Sequence, residues 1–365
     1  MKIAMIGQKR IPSREGGVEI HVEQIAVRLA AMGHDVTAYN RVKKGVPLLH
    51  KYKGVRIINV PTISTKNLDA VIYSFFATIH ALFEHYDVIH YHAIGPSVML
   101  FIPHLLGIKT VATVHGLNWK SSKWGSFAKW YMKLGEKIVA KDADGVIVLS
   151  ANMQDYFTKM YRRTTQFIPN GINAPIIRET RIIRNEYGLE QGSYILFLGR
   201  IVPEKGVHYL LNAFSKVKTE KKLVIAGEGT FTDDYVGKIK KMAANDQRVI
   251  MTGFVQGEKL EELYSNTCLY VLPSDSEGMP IGLLEAMSYG CSCLVSDIPE
   301  NREVIGEAGY TFAKGNSDDL EVKLTSILQN TTINAVGEKA KESVLKAYNW
   351  DDSVKRIVDI YRGTR

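Results

Sequence analysis

At 365 residues, 45% hydrophobic and 23% charged, the chain has room for two domains of ordinary size, each with its own core, and reads as a soluble globular protein. Three cysteines, Cys268, Cys291 and Cys293, exclude a disulfide framework and fit a reducing cytoplasm, and the Cys-x-Cys pair has no second ligand pair with which to build a metal site. The net charge of +8 is uneven: residues 1–175 carry 22 Lys and Arg against 11 Asp and Glu, and residues 176–365 carry 24 against 27, so the first half is the one suited to something acidic, whether anionic lipid, a phosphate-bearing acceptor or nucleic acid.

In chain order, Met1-Lys-Ile-Ala-Met-Ile-Gly7 goes straight into a strand, with no signal-peptide pattern ahead of it. The pair Gly16-Gly17 precedes a helical pattern over residues 18–32, closed by Gly33. β-rich runs follow at residues 36–39, 56–60, 88–91, 110–114, 145–149 and 166–168, with a second helical pattern over 127–140. The near-apolar stretch 68–86 is interrupted by Asp69, Ser74, His80, Glu84 and His85, which predicts a buried helix and excludes a membrane span. Residues 174–192 hold Pro175, six charged side chains and no strong strand, as a linker would. Strand patterns resume at 194–198, 223–226, 249–252, 269–272 and 291–295. Strands spaced by helices predict an α/β protein of two Rossmann-like domains, with parallel sheets facing across a cleft and ligand sites beyond the carboxyl ends of the strands.

Two motifs in the second half carry chemistry. Gly199-Arg-Ile-Val-Pro-Glu-Lys-Gly206 follows the run 194–198 and precedes a helical pattern, so Arg200 and Lys205 stand where a strand hands over to a helix. Two cations there can neutralise a diphosphate without metal, the Arg as a fork and the Lys as a point charge. In Glu277-Gly-Met-Pro-Ile-Gly-Leu-Leu-Glu285, one carboxylate sits in a loop and the other about two turns into a helix, roughly 8–12 Å down its axis. One could hold a sugar hydroxyl and the other a ribose, while the amides of Gly278, Met279 and Ile281 point out of a helix N-terminus, where phosphate is favoured. An ordinary helix with a solvated Glu at each end has the same pattern, so the weight falls on the neighbouring motif.

The first half offers less specific signals. Gly16-Gly17 lets backbone approach a phosphate or sugar closely, but it is not the Gly-x-Gly-x-x-Gly fingerprint and argues against nicotinamide binding. His115 ends the strand 110–114, is followed by Gly116 and should project into the cleft; His92 ends another strand and reads as a wall or acceptor-side residue. Residues 119–133, beginning with Trp119, interleave aromatics with four lysines. Such a segment can lie in a lipid headgroup layer, or its aromatics can line an acceptor groove or pack on the sheet. Asp142-Ala-Asp144 looks like an Asp-x-Asp metal motif but lies away from the phosphate-binding residues, which favours a structural role.

Taken in order, Met1 to Gly7 with Gly16-Gly17, Asp87-Val-Ile-His-Tyr-His92, Thr113-Val-His-Gly116, Ile168-Pro-Asn-Gly171, Gly199 to Gly206, Ala226-Gly-Glu-Gly229, Gly253-Phe-Val255 and Ser274 to Met287 resemble the GT-B glycosyltransferases of family 4. These are retaining enzymes that use nucleotide sugars. The opening Ile11-Pro-Ser-Arg-Glu-Gly-Gly-Val-Glu19 is similar to a bacterial subgroup of hexosyl- and rhamnosyltransferases of envelope polysaccharides. The resemblance implies an acceptor-binding domain over residues 1–174, rejoined by a C-terminal helix at 349–365, and a nucleotide-sugar-binding domain over 175–348. It implies that Arg200 and Lys205 hold the diphosphate, Phe254 and Val255 flank the base, Glu285 binds the ribose, Glu277 takes the sugar's hydroxyls, and His115 lies near the transferred sugar. Glu228 is placed either beside Arg200, orienting it, or in a solvated loop.

It further implies no cofactor beyond the donor itself, a UDP-, dTDP- or GDP-linked sugar, with no metal required and no nucleic-acid partner. The acceptor would be a saccharide or lipid-linked saccharide, and the place of work the cytoplasm, at the inner face of the membrane. An isomerase or hydrolase of nucleotide sugars would need an acid/base pair in the first domain that the sequence does not present. Intact Arg200, Lys205, Glu277 and Glu285 count against a non-catalytic binding subunit.

Overall fold

The computed structural model describes residues 1–63, 68–117, 119, 124–229, 232–330 and 333–363. The chain divides into two units, Met1–Gly171 with Trp350–Arg365, and Ile172–Asn349. The first unit runs β1 (Lys2–Ile6), α1 (Gly17–Ala31), β2 (Asp35–Arg41), β3 (Lys51–Tyr52), β4 (Val55–Val60), α2 (Asp69–Phe83), β5 (Val88–His92), a 3-10 turn (Pro96–Leu100), α3 (Phe101–Leu105), β6 (Lys109–Val114), α4 (Ser126–Asp142), β7 (Gly145–Val148), α5 (Ala151–Tyr161) and β8 (Gln166–Phe167). The second runs α6 (Ile182–Tyr187), β9 (Tyr194–Leu198), α7 (Val207–Phe214), β10 (Lys222–Ala226), α8 (Asp233–Ala244), β11 (Val249–Gly253), α9 (Glu258–Asn266), β12 (Leu269–Leu272), α10 (Ile281–Ser288), β13 (Cys293–Ser296), α11 (Pro299–Ile305), β14 (Tyr310–Phe312), α12 (Ser317–Leu328) and α13 (Ile333–Ala347). The last helix, α14 (Trp350–Arg362), belongs to the first unit.

The strand order is β3-β4-β2-β1-β5-β6-β7-β8 in the first sheet and β11-β10-β9-β12-β13-β14 in the second. Pairings are parallel apart from the short β3–β4 ladder. Central strands such as Ile3–Ile6 and Tyr194–Phe197 are apolar on both faces with no exposure, as a sheet covered on both sides requires. Each sheet accordingly has two cores, one per face. On one face of the first sheet, Trp350, Val354, Ile357, Val358 and Tyr361 of α14 pack with Ile3, Met5 and Val22, each burial stabilising by roughly 1.5–3 kcal/mol. The Tyr361 hydroxyl meets His90 Nδ1 at 2.6 Å, tying that helix to β5.

Three expectations need correction. Residues 174–192 are not a free linker: they belong to the second unit, where Ile183 and Leu189 are fully buried. The buried Glu262 carboxylate, 80 residues away in α9, accepts the backbone N–H groups of Arg181, Ile182 and Ile183 at 3.0–3.1 Å, supplying the N-terminal cap that α6 lacks locally. The helix within 68–86 is present but only half buried, with Phe76 and Phe83 50% and 77% exposed. The strand expected from Cys291 starts at Cys293, and β3 and β14 were not anticipated, being too short for a periodic signal.

Candidate active site

In the second sheet, successive strands step outward from β9 in one direction and from β12 in the other, so the two segments leaving these neighbours diverge to opposite faces. A crevice at the carboxyl ends of such strands is where open α/β sheets take ligands. The segments concerned are those that hold Arg200 with Lys205 and Ser274 with Glu277. Gly206 lets them touch: its φ is +66°, and a Cβ there would lie 2.0 Å from the Pro273 carbonyl oxygen, so only glycine allows the loop after β9 to rest on the end of β12.

That approach brings Lys205 Nζ to 2.5 Å from Glu277 Oε1, and the Ser274 hydroxyl donates to the same oxygen at 2.6 Å. Both charged side chains are largely withdrawn from solvent, 17% and 8% exposed, so each depends on the other for compensation. Arg200 is set by its backbone: the flanking Gly199 and Ile201 N–H groups donate to the Ala226 and Glu228 carbonyls at 3.0 and 2.8 Å. Glu285 lies on α10, where the Tyr264 hydroxyl donates to its Oε2 at 3.2 Å. The structure thus joins Lys205 to Glu277 directly. Ser274 and Tyr264 were missed in the sequence, the first being a plain strand-end serine, the second coming from a different helix.

Other expected residues are placed differently from their proposed use. Ile281 N–H donates to the Met279 carbonyl at 3.0 Å, so it is not free to meet a phosphate as expected; Gly278 and Met279 lie in the loop just ahead of α10. Val255 is 7% exposed and packs in the core, leaving Phe254, 43% exposed, as the outward member of that pair. The Glu228 carboxylate approaches the Phe254 N–H at 3.5 Å.

The first sheet reverses between β1 and β5. Gly7, with φ of +136°, ends β1 so close to β5 that a Cβ would sit 2.1 Å from the His92 carbonyl oxygen. Around this point three imidazoles converge from α1, β5 and the end of β6. His115 Nε2 lies 3.5 Å from His92 Nδ1, and the His21 ring meets that of His115 edge-on at 4.6 Å. His21 Nδ1 is 2.6 Å from Asn170 Oδ1 and so carries the proton, while His90 stacks against His92 with centroids 4.1 Å apart. Desolvation pushes His21 down to about 4 and holds His90, His92 and His115 well below the usual imidazole range, neighbouring imidazoles adding to the effect on those three. The cluster is therefore neutral at physiological pH. His92 is fully buried, which makes it a support beneath His115 and not an acceptor-side wall.

The ligating nitrogens of His21, His92 and His115 lie within 4.8 Å of one another, the one such group of His, Cys, Asp or Glu among the described residues. Nitrogens about 2.1 Å from a tetrahedral zinc stand about 3.4 Å apart, so the three rings would have to draw together to hold an ion. His21 was missed because its partner Asn170 is 149 residues away.

Gly16 caps α1 in an extended conformation, and the Glu19 carboxylate reaches back towards the same turn, accepting the Lys9 N–H at 3.0 Å. The N-terminus of α1 beside Gly16 and Gly17 thus already faces one anion. Trp119 is half-buried: its indole N–H donates to the buried Glu136 at 2.6 Å, and Lys133 Nζ lies over the ring at 4.5 Å. Tyr156 and Tyr161 donate to the other Glu136 oxygen. Lys120 and Lys123 of that segment fall outside the described residues. Asp144 accepts the Thr110 N–H at 2.7 Å, a structural role.

Residues 15–174 match the sequence profile described as Glycosyltransferase Family 4, and residues 179–350 the one described as Glycosyl transferases group 1. The chain is a family 4 glycosyltransferase. An uncharacterized glycosyltransferase of Methanocaldococcus jannaschii is 27% identical to it, the match covering 99% of this chain and 98% of that protein. The UDP-Gal:alpha-D-GlcNAc-diphosphoundecaprenol alpha-1,3-galactosyltransferase of Escherichia coli is 26% identical over 76% of each chain. Among solved structures, the sucrose-phosphate synthase of Thermosynechococcus elongatus superposes with a TM-score of 0.85 at 21% identity, covering 99% of this chain and 98% of that one, a likeness of fold. Both Rossmann-like sheets of this family 4 glycosyltransferase thus have a counterpart in a known GT-B structure. Among the described residues, no helix is long and apolar enough to cross a membrane.

Proposed function

We propose that this glycosyltransferase moves a hexosyl or deoxyhexosyl unit from a UDP-, dTDP- or GDP-linked sugar to a saccharide or lipid-linked saccharide acceptor. The anomeric configuration is retained, no metal takes part, and the product enters cell-envelope polysaccharide at the inner face of the membrane. The Lys205–Glu277–Ser274 cluster at the β9/β12 reversal, one loop from Arg200, carries the reading. The E. coli relative's UDP-Gal donor and diphosphoundecaprenol-linked acceptor support these substrate classes.

The ammonium of Lys205 has three donors, of which Glu277 takes one; the others serve the diphosphate alongside the Arg200 fork. Glu277 Oε1 is committed to Lys205 and Ser274, which leaves Oε2 to accept from a sugar hydroxyl. Glu285 accepts from the ribose and Phe254 stacks on the base. As the bond from the anomeric carbon to the diphosphate oxygen breaks, negative charge gathers on the leaving group, where the two cations stabilise it, and positive charge on the sugar. The acceptor hydroxyl attacks that carbon on the same face, and its proton passes to the departing phosphate oxygen. His115, in the first unit, is held neutral by desolvation and so carries no charge that would repel a cationic sugar carbon.

Incubation with a panel of nucleotide sugars and acceptors, scoring free nucleoside diphosphate, tests the transfer; NMR of the product's anomeric proton tests its stereochemistry. An inverted product removes the same-face mechanism. Turnover abolished by EDTA and restored by Mg2+ removes metal independence.

A further inference from the structure

Exposed apolar side chains of the first unit gather on three adjoining helices. Over the sheet, α3 packs against both α2 and α4, and Tyr131 of α4 lies beside Ser74 of α2. Outward from them stand Phe76, Phe83, Leu105, Leu106, Phe127 and Trp130, each half exposed or more. A soluble surface scatters such residues singly; six large ones on neighbouring helices form a patch. Its periodicity is built in: Phe76 and Phe83 lie two turns apart on α2, while Tyr73, Ala77 and Ala81 of the same helix face the core.

Glu84, next to Phe83, is paired with Lys2 and Arg56, and Asp87 is exposed beyond it, but along α4 the exposed charge has a single sign. From Trp130 the outer stripe of α4 continues through Lys133, Lys137 and Lys141, at helical spacing and all exposed. Glu136 is buried and Asp142 half-buried, so every fully exposed charge on α4 is a lysine.

We infer that this α2–α3–α4 face docks the chain on a bilayer surface rich in anionic lipid. The Phe, Leu and Trp side chains enter the boundary between headgroups and acyl chains, and the α4 lysines lie against lipid phosphates. A second copy of the chain fits less well, because two-fold pairing would set one lysine stripe near another with no exposed carboxylate on α4 to answer it. The docking surface lies on these outer helices, while the Trp119 indole N–H is engaged by Glu136.

The test is flotation of the full chain with phosphatidylcholine vesicles, with and without about 30 mol% phosphatidylglycerol. The chain should float with the anionic vesicles and not the neutral ones. Changing Lys133, Lys137 and Lys141 together to Ser should weaken partitioning about a hundredfold, at about fivefold per lysine. Changing Phe127 and Trp130 to Ser should weaken it at least tenfold. Circular dichroism, the thermal midpoint and nucleoside diphosphate binding should be unchanged in both variants. Failure to float with anionic vesicles, equal flotation with neutral ones, or indifference to both variants overturns the inference. A concentration-dependent dimer that Phe76→Ser and Trp130→Ser dissolve would assign the face to a second copy instead. None of these readouts involves turnover, so the inference and the transfer reaction can fail separately.

Discussion

The two sheets each place their candidate residues where the strand order reverses, yet they arm that position in opposite ways. In the second unit the groups are charged and paired, Lys205 with Glu277, beside a guanidinium. In the first they are imidazoles kept neutral by burial, His21, His92 and His115. Under the proposed transfer this difference has a physical reason: fixed cations suit a diphosphate, which brings its own negative charge, whereas desolvated imidazoles add no charge of their own.

If this contrast is right, its largest consequence falls on the charged side. Arg200→Ala and Lys205→Ala should each lower kcat by about 10²–10³-fold, roughly 3–4 kcal/mol, in a nucleoside diphosphate release assay. Lys205→Ala also strands Glu277 without its cation, so adding Glu277→Gln should recover thermal stability without recovering turnover. Wild-type turnover in either single variant would break the comparison outright.

The next effect concerns how the second unit uses a carboxylate away from the reaction. Glu262→Ala removes the acceptor for three backbone N–H groups at the start of α6 and should cost about 2–4 kcal/mol of unfolding free energy in denaturant titration. Glu262→Gln, which keeps one carbonyl acceptor, should lose less. An unchanged unfolding midpoint in Glu262→Ala would show that the interval is as independent as its composition first suggests.

On the neutral side the expected signature is a pH dependence. In the unfolded chain a histidine takes up its proton near pH 6.5, whereas native His21 resists until about 4. Between those values the unfolded state binds more protons, so stability is intact above about 6.5 and falls as pH drops through that window. His21 alone should cost about 2 kcal/mol at pH 5. The loss in thermal midpoint between pH 7.5 and pH 5 should shrink in His21→Gln, and a loss of the same size would mean that native His21 takes up its proton as readily as in the unfolded chain.

How far the sequence foretold these arrangements depends on the range over which each is determined. Central strands such as Tyr194–Leu198 are continuous apolar runs, and the loops after them carry Gly206, Lys205 and Glu277 in one stretch each, so the fold and the loop positions of these residues can be read locally. The His21–Asn170 contact, the Glu262 cap on α6 and the Tyr264 bond to Glu285 join distant segments, and no local pattern encodes them. The sided exposure of α2 was hidden for another reason. Hydropathy reports that Phe76 and Phe83 are apolar; only the packing of α3 and α4 decides that the described residues leave them half exposed or more.

The smallest expected effect tests whether the second unit reads its ligand through charge alone. Val255 is locked in the core, so among the expected base-flanking pair only Phe254 presents a ring outward. Aromatic stacking on a base contributes about 1–3 kcal/mol, less here because the ring remains partly in water. Phe254→Ala should therefore weaken nucleoside diphosphate binding about fivefold in calorimetry while leaving inorganic pyrophosphate binding unchanged, since in the proposed function the phosphates meet Arg200 and Lys205. Equal losses for both ligands would mean that Phe254 shapes the loop through its backbone contact with Glu228 and does not touch the base. Equal retention would leave the cations as the main source of affinity, and the base selected elsewhere.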